Sequence, residues 1–325
     1  MLEIPIRLRR NRRTEAIRQM VQETELRASD LIAPFFIIEG ERRSQTIPSL
    51  PEIERVTVDR MVEKAERLHR KGVQAIALFP ALESGLRTEG AEEAWNSDGL
   101  IPRAIREIKK EIPSLCVIAD VALDPYTSHG HDGLVNERGE ILNDETIECL
   151  IKMAMVQAEA GIDLVAPSDM MDGRVRAIRE ALDKVGKQHV GVLAYSAKYA
   201  SSLYAPFREA LDVRLKFGDK KSYQLNPANV REALLEAKLD EEEGADILLV
   251  KPALFYLDII ARLRQQTNRP IAAYHVSGEY AMVMAAGQLG YLDPTRVFHE
   301  ALVSIKRAGA DLIFTYAAER VLAQM

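Results

Sequence analysis

The sequence predicts an α/β chain folded as a (β/α)8 TIM barrel behind an extended N-terminal arm. Three observations predict it. Eight short aliphatic runs recur from about residue 31 to the end, and they do not alternate with polar residues. Continuous apolar runs of that length suit parallel strands covered on both faces. Amphipathic helical patterns stand between them, and the helix-to-strand joints resemble one another: KGVQAIALFP, AGIDLVAPS, EGADILLVKP and AGADLIFTY. Each sets a glycine past the helix end, then a short polar step, then the strand.

Residues 1–30 form the arm, in which Arg7–Arg13 holds five arginines in seven residues. No aromatic interleaving or basic helix accompanies them, so a solvated arm or one laid on a neighbouring subunit is expected, not a nucleic-acid arm. The barrel domain is expected over 31–325. Its strands are expected at 31–38, 75–79, 115–123, 163–166, 190–197, 246–251, 271–276 and 311–316. A helix over 58–71 places Met61, Ala65 and Leu68 on one face, and one over 144–160 does the same with Ile147, Ile151, Ala154 and Ala158. Asn226-Pro227 reads as an N-cap followed by proline at the first helical position, with that helix closing at Gly244. A doubly wound sheet is the competing fold. It usually carries a glycine-rich phosphate turn after its first strand, and FFIIEGERRSQT has a single glycine.

The chain has 325 residues, 47% apolar and 28% charged, with a formal net charge of -6. That is ordinary globular composition and gives no reason to expect a polyanion partner. No apolar run approaches the ~18 residues of a membrane span, and the N-terminal stretch lacks the apolar core of a signal peptide. Two cysteines, Cys116 and Cys149, do not make a disulfide framework. A cytoplasmic protein is expected.

Chemistry concentrates at the carboxyl ends of the strands. The fifth run delivers Lys198 and the sixth delivers Lys251, with Pro252 stopping the strand at once. Adjacent parallel strands lie ~4.8 Å apart, so both amines can reach one pocket. A lysine desolvated by apolar neighbours, or set beside another cation, loses pKa and gains nucleophilic free amine. Each lysine read alone better suits a sheet-edge cap or a partner for a buried carboxylate; two on neighbouring strands suit the nucleophilic reading equally well. Ser277, ahead of a helical pattern, reads equally well as a plain N-cap.

The segments DVALDPYTSHGHDG, APSDMMDGR, YSAKYASSLYAPFR, VKPA and YHVSGEY occur in this order over essentially the whole chain. Together they resemble the porphobilinogen synthases, also called 5-aminolevulinate dehydratases. The resemblance implies a hydro-lyase of heme and chlorophyll biosynthesis that condenses two 5-aminolevulinate molecules into porphobilinogen with loss of two waters. It implies imines on Lys198 and Lys251. Lys251 would hold the first-bound molecule, which ends up with the propionate side, and Lys198 the second. By the same likeness Ser277 and Tyr316 hold one substrate carboxylate, and Arg208 and Lys220 hold the other beneath a lid over Phe207–Tyr223. Some relatives carry arginine where Lys220 stands. Asp120 and Ser168 are candidates to orient the substrate amino groups, while Arg214, Lys216 and Lys221 read as solvated lid charges.

Zinc-dependent relatives carry three cysteines at positions that here are Ala122, Asp124 and Asp132. A catalytic zinc is therefore not expected, and the chain resembles the magnesium-type subgroup that lacks those cysteines. Asp124 and Asp132 could hold Mg²⁺ or K⁺ through water, or order the loop by hydrogen bonds; His129 and His131 read as loop structure. Glu236 matches an allosteric Mg²⁺ ligand, although with Asp240, Glu241, Glu242 and Glu243 nearby it also reads as part of a solvated acidic face. Mg²⁺ keeps most of its waters, so one carboxylate suffices. The resemblance further implies a homo-octamer whose arms embrace neighbouring subunits. The alternatives are a class I aldolase and a non-catalytic barrel that binds a carboxylate metabolite. The second lysine argues against the former, and the intact set of lysines and carboxylate donors against the latter.

Overall fold

Closed into a ring, the eight apolar runs become parallel strands in a computed structural model that describes residues 4–325. They are β1 (Leu31–Ile37), β2 (Ala75–Pro80), β3 (Cys116–Val121), β4 (Leu164–Pro167), β5 (Gly191–Lys198), β6 (Ile247–Lys251), β7 (Ile271–His275) and β8 (Leu312–Thr315). Each pairs with the next, and β8 returns to β1 through Ile313 opposite Leu31 and Phe314 opposite Ile32. Closure removes the exposed strand edges that an open sheet of such apolar runs would present. A short antiparallel pair, Ser44–Thr46 with Glu54–Val56, adds to the upper end of β1.

The flanking helices are α1 (Glu15–Met20), α2 (Val58–Arg70), α3 (Leu100–Glu111), α4 (Asn143–Glu159), α5 (Arg174–Lys184), α6 (Ala205–Ala210), α7 (Arg231–Glu242), α8 (Leu257–Arg264), α9 (Ser277–Gln288), α10 (Pro294–Ala308) and α11 (Ala318–Leu322). None is long and apolar enough to cross a membrane. Residues 4–30 precede the barrel and contain α1, whose first turn is capped by Thr14 Oγ1 accepting the Ile17 N–H at 3.3 Å. Ile6, Leu8 and Met20 of this segment are exposed.

The repeated joints have a physical reason. The backbone at Gly161 and Gly309 takes φ of +97° and +122°, a region costly for any residue with a Cβ. The aspartate that follows reaches back onto the preceding strand. Asp163 accepts the Val117 N–H at 2.7 Å, Asp246 the Val192 N–H at 2.8 Å and Asp311 the Ile271 N–H at 2.8 Å. The polar step thus satisfies a backbone donor at the amino-terminal end of the barrel, where the ladder has not yet begun.

Two local readings need correction. Asn226-Pro227 does not open α7. Asn226 Oδ1 accepts the Ala228 N–H at 3.0 Å and its carbonyl accepts the Asn229 N–H, which makes a closed turn, and the helix begins at Arg231. The buried face of α4 is also rotated by about one residue: Leu150, Met153, Ala154, Gln157 and Ala158 are buried, while Ile147 and Ile151 are only half-buried. Gln157 turns inward because its side-chain amide donates to the Asp120 carbonyl at 2.9 Å.

Candidate active site

Strand alternation alone would set the two lysines on opposite faces. Ile247 on β6 lies opposite Leu193 on β5; Lys251 is four residues beyond the first and Lys198 five beyond the second. With a side-chain period of two, an even and an odd step end on different faces. The register slips between Leu248 and Val250, where β5 carries one extra residue, and Lys251 comes to lie opposite Lys198. This bulge re-aims Lys198 to the side that Lys251 faces. Both amines line one cavity with Asp120, Asp124, Ser168, Tyr204, Phe207, Arg208, Lys220 and Gln224.

The two amines have different surroundings. Lys251 Nζ lies 4.6 Å from the ring centre of Tyr274, 4.7 Å from Phe207 and 5.2 Å from both Tyr195 and Tyr204. Aromatic faces attract a cation but do not replace its lost hydration. Burial, and then the charge on Lys198, bring the Lys251 amine down to about 7. Lys198 Nζ donates to the Ser168 carbonyl and lies 3.7 Å from Asp132 Oδ1. One amine is caged by rings, and the other is tied to a carbonyl and a carboxylate.

Beside Lys198 stands a cluster of carboxylates. Lys220 Nζ donates to Asp124 Oδ2 at 3.1 Å and Asp132 Oδ1 at 3.2 Å, and all three side chains are buried. Burial works against ionised Asp132, but Lys198 and Lys220 outweigh it and hold this carboxyl well below the usual range. Asp120 lacks such a contact, and burial followed by repulsion from Asp124 pushes it up to about 7. Its Oδ1 has no hydrogen-bond partner among the described residues. An alanine and two hard carboxylates do not suit zinc, and an ammonium stands between the carboxylates that a hard cation would need. In this loop His131 shares hydrogen bonds with the Tyr223 hydroxyl and the Phe217 carbonyl, each at 3.1 Å, and packs at a tilt against Phe217, with His129 beside it.

The segment expected to be a lid begins with α6 and covers the strand ends. Phe207 packs on Lys251 and edge-on to Phe79, while Lys220 enters the carboxylate cluster. Arg214, Lys216 and Lys221 are exposed, as expected for solvated charges. Two arginines outside the lid fasten it at the end of α6. Arg55 donates to the Ala210 carbonyl at 2.6 Å and Arg87 to those of Leu211 and Asp212 at 3.0 and 2.5 Å. Cations at these unpaired helix-end carbonyls satisfy both hydrogen bonding and the helix dipole. The cavity lined by the two lysines and the lid residues Phe207 and Lys220 is small, about 20 Å³, room for roughly one water.

The four residues matched to carboxylate binding fall in three places. Arg208 lines the cavity without an acidic partner among the described residues, and Lys220 is held by the aspartates. Ser277 is not the N-cap of α9, a place taken by Val276. Its hydroxyl accepts the Phe207 N–H at 3.0 Å and donates to the Leu203 carbonyl at 3.2 Å, at the foot of the lid. Tyr316 meets the hydroxyl of Tyr274, a ring of the Lys251 cage, at 3.0 Å.

The acidic face of α7 is only partly solvated. Asp240 is buried and takes both Arg174 amino groups, at 2.6 and 3.1 Å. Glu236 is half-buried and borders a cavity of about 350 Å³ with Asn143, Asp172 and Glu232. Burial, and then Asp240 and Asp172, push its carboxyl up to about 7 against the pull of Arg174. No group of three or more metal-ligating side chains occurs among the described residues. A water-rich Mg²⁺ needs no such group, and a cation would relieve the crowded charge at Glu236, so the residues fit that ion.

Three comparisons bear on this site. The family model for delta-aminolevulinic acid dehydratase matches residues 5–324. The delta-aminolevulinic acid dehydratase of Chlamydia pneumoniae is 51% identical over 321 residues, 99% of this chain and 96% of the relative, and that of Bradyrhizobium diazoefficiens is 50% identical over 98% of this chain and 90% of its own length. The Toxoplasma gondii ME49 enzyme, solved in complex with the reaction product porphobilinogen, superposes with a TM-score of 0.98 at 49% identity, covering 100% of this chain and 93% of that one. A barrel with two facing buried lysines, matched along its whole length by these relatives, belongs to the delta-aminolevulinic acid dehydratase family.

Proposed function

We propose that this chain condenses two molecules of 5-aminolevulinate into porphobilinogen while holding both as imines, one on Lys251 and one on Lys198. Two buried amines set opposite one another by the β5 bulge carry this reading. An amine that attacks a keto carbon and then expels water leaves an imine, an electron sink that acidifies the neighbouring carbon. Holding both partners covalently turns a bimolecular condensation into an intramolecular one. Two waters leave overall, and each lysine is released. Arg208 and Lys220 are assigned to one substrate carboxylate and Ser277 and Tyr316 to the other, with Lys220 leaving the aspartates and Ser277 leaving the lid backbone as substrate enters. Asp120, a carboxyl poised near neutrality beside both amines, is placed to face a substrate amino group together with Ser168.

Glu236 is assigned to Mg²⁺, which when bound supplies positive charge outside the reacting centre and favours one assembly over another. The assembly proposed is a homo-octamer; the exposed apolar side chains of residues 4–30 support an arm that makes subunit contacts. A cytoplasmic location is part of the same reading. Treatment with 5-aminolevulinate and borohydride, followed by peptide mapping, is expected to place adducts on Lys198 and Lys251. EDTA is expected to slow turnover and leave both adducts intact. Absence of adducts on both lysines would overturn the reading.

The lowered Lys251 amine sets a pH dependence. Below about 7 the ammonium has no lone pair; above it the free amine dominates. Imine formation at Lys251, followed by borohydride trapping in a single turnover, should fall about tenfold from its plateau to about pH 6. A rate that stays flat over that range contradicts the assignment.

A further inference from the structure

The first turn of α9 holds a buried carboxylate that the imine chemistry leaves unused. Glu279 is inaccessible to solvent. Its Oε1 accepts the Leu254 N–H and its Oε2 the Val276 N–H, both at 2.8 Å. The N–H groups of Ala253 and Phe255 also favour its ionised form, so its compensation for burial comes chiefly from backbone donors. Burial nevertheless pushes this carboxyl up to about 7, and both oxygens accept backbone N–H groups, which the ionised form does best.

Residues 253–255 are the turn by which the chain leaves β6 directly after Lys251. The Lys251 carbonyl is fixed from the other side, by the Tyr199 N–H at 2.9 Å and the Tyr204 hydroxyl at 3.1 Å. The same turn of α9 touches the foot of the lid. Ser277 bonds to Phe207 and Leu203, and a Cβ added at Gly278 would lie 2.5 Å from the Leu203 carbonyl oxygen. We infer that Glu279 is a positioning residue for Lys251: its carboxylate locks the turn after β6 and so aims the amine into its aromatic cage. The inference rests on the reading of Lys251 as an imine-forming amine. Ser277 and Gly278 extend the junction to the lid, so one helix end registers both the amine and its cover.

Glu279→Gln tests it. Glutamine keeps the shape but must turn an amide N–H toward one of the backbone donors, which opens the clamp. Single-turnover borohydride trapping of 5-aminolevulinate should slow at least about tenfold on Lys251 and change by less than about twofold on Lys198, since small misplacements near a reacting atom cost rate steeply. A merely structural role would slow both lysines alike and lower the denaturation midpoint, and that result, or trapping unchanged at Lys251, overturns the proposal. Wild-type protein trapped on Lys198 and not on Lys251 would overturn the imine assignment itself, and with it the inference. A measurement on the wild type stands apart from any folding defect of the variant. The amides of Ala253, Leu254 and Phe255 should exchange slowly with deuterium, and exchange as fast as that of the exposed lid residues would refute the clamp.

Discussion

Lys251→Met is expected to lose at least about 10⁴-fold in turnover, about 5.5 kcal/mol of transition-state stabilisation, while its denaturation midpoint stays level or rises. The activity loss follows because no other amine can take the place of the imine nitrogen. The stability result follows from the cage. Tyr195, Tyr204, Phe207 and Tyr274 surround this amine with rings and offer no carboxylate contact, so a methionine of similar length exchanges an under-solvated cation for sulfur–aromatic contacts. Between pH 7 and the ordinary lysine range the folded wild type binds fewer protons than its unfolded chain, so its stability rises with pH there; the variant should lack that contribution. Lys198→Met should match the activity loss and move stability the other way, because it strips the Ser168 carbonyl of a donor and Asp132 of a cation 3.7 Å away. Turnover and thermal denaturation of the two variants check both halves. An active Lys251→Met protein would refute the mechanism.

Asp240→Ala should cost about 3–5 kcal/mol of stability, the usual penalty for removing one member of a buried ion pair. Arg174 and Asp240 are 1% and 2% exposed, and the guanidinium cannot shed its proton to escape. Chemical denaturation should show the loss. A paired replacement, Arg174→Met with Asp240→Leu, should recover part of it, because neither member of the pair is then left charged without the other, while Asp169 and Glu236 still lose the nearby guanidinium. Recovery of stability need not bring recovery of rate. Arg174 also donates to the Tyr195 carbonyl at 3.2 Å, in the stretch of β5 where the register slips, so the paired variant should fold well and still turn over slowly. An unchanged denaturation midpoint in Asp240→Ala would show that the pair is not needed.

The strands were legible because burial on both faces leaves an unbroken apolar signature, and the lysines were legible because they interrupt it at strand ends. The bulge was not. Nothing in YSAK marks an extra residue, and the parity of Lys198 against Lys251 depends on pairing across two strands. Ser277 shows the same limit: serine before a helix is locally sufficient for a cap, and its hydroxyl instead serves a lid segment about 70 residues away. Asp240 sat in an acidic run that reads as a solvated face, and only the fold brings Arg174 to it. Arg55, Arg87, Gln157 and Glu279 gave no signal, since each acts on a backbone group of a distant segment. What local pattern specifies could be read; what requires a long-range partner could not.

The three backward-reaching aspartates divide the ring into modules. Asp163 joins β4 to β3, Asp246 joins β6 to β5, and Asp311 joins β8 to β7. Lys198 and Lys251 both fall within the middle module, whose foot is held by Asp246 and whose rim is adjusted by the bulge. Chain breaks introduced between modules, as between β4 and β5, therefore spare these staples, whereas a break between β5 and β6 separates Lys198 from Lys251. The barrel is in that sense assembled from strand couples, and both buried lysines reside inside one of them.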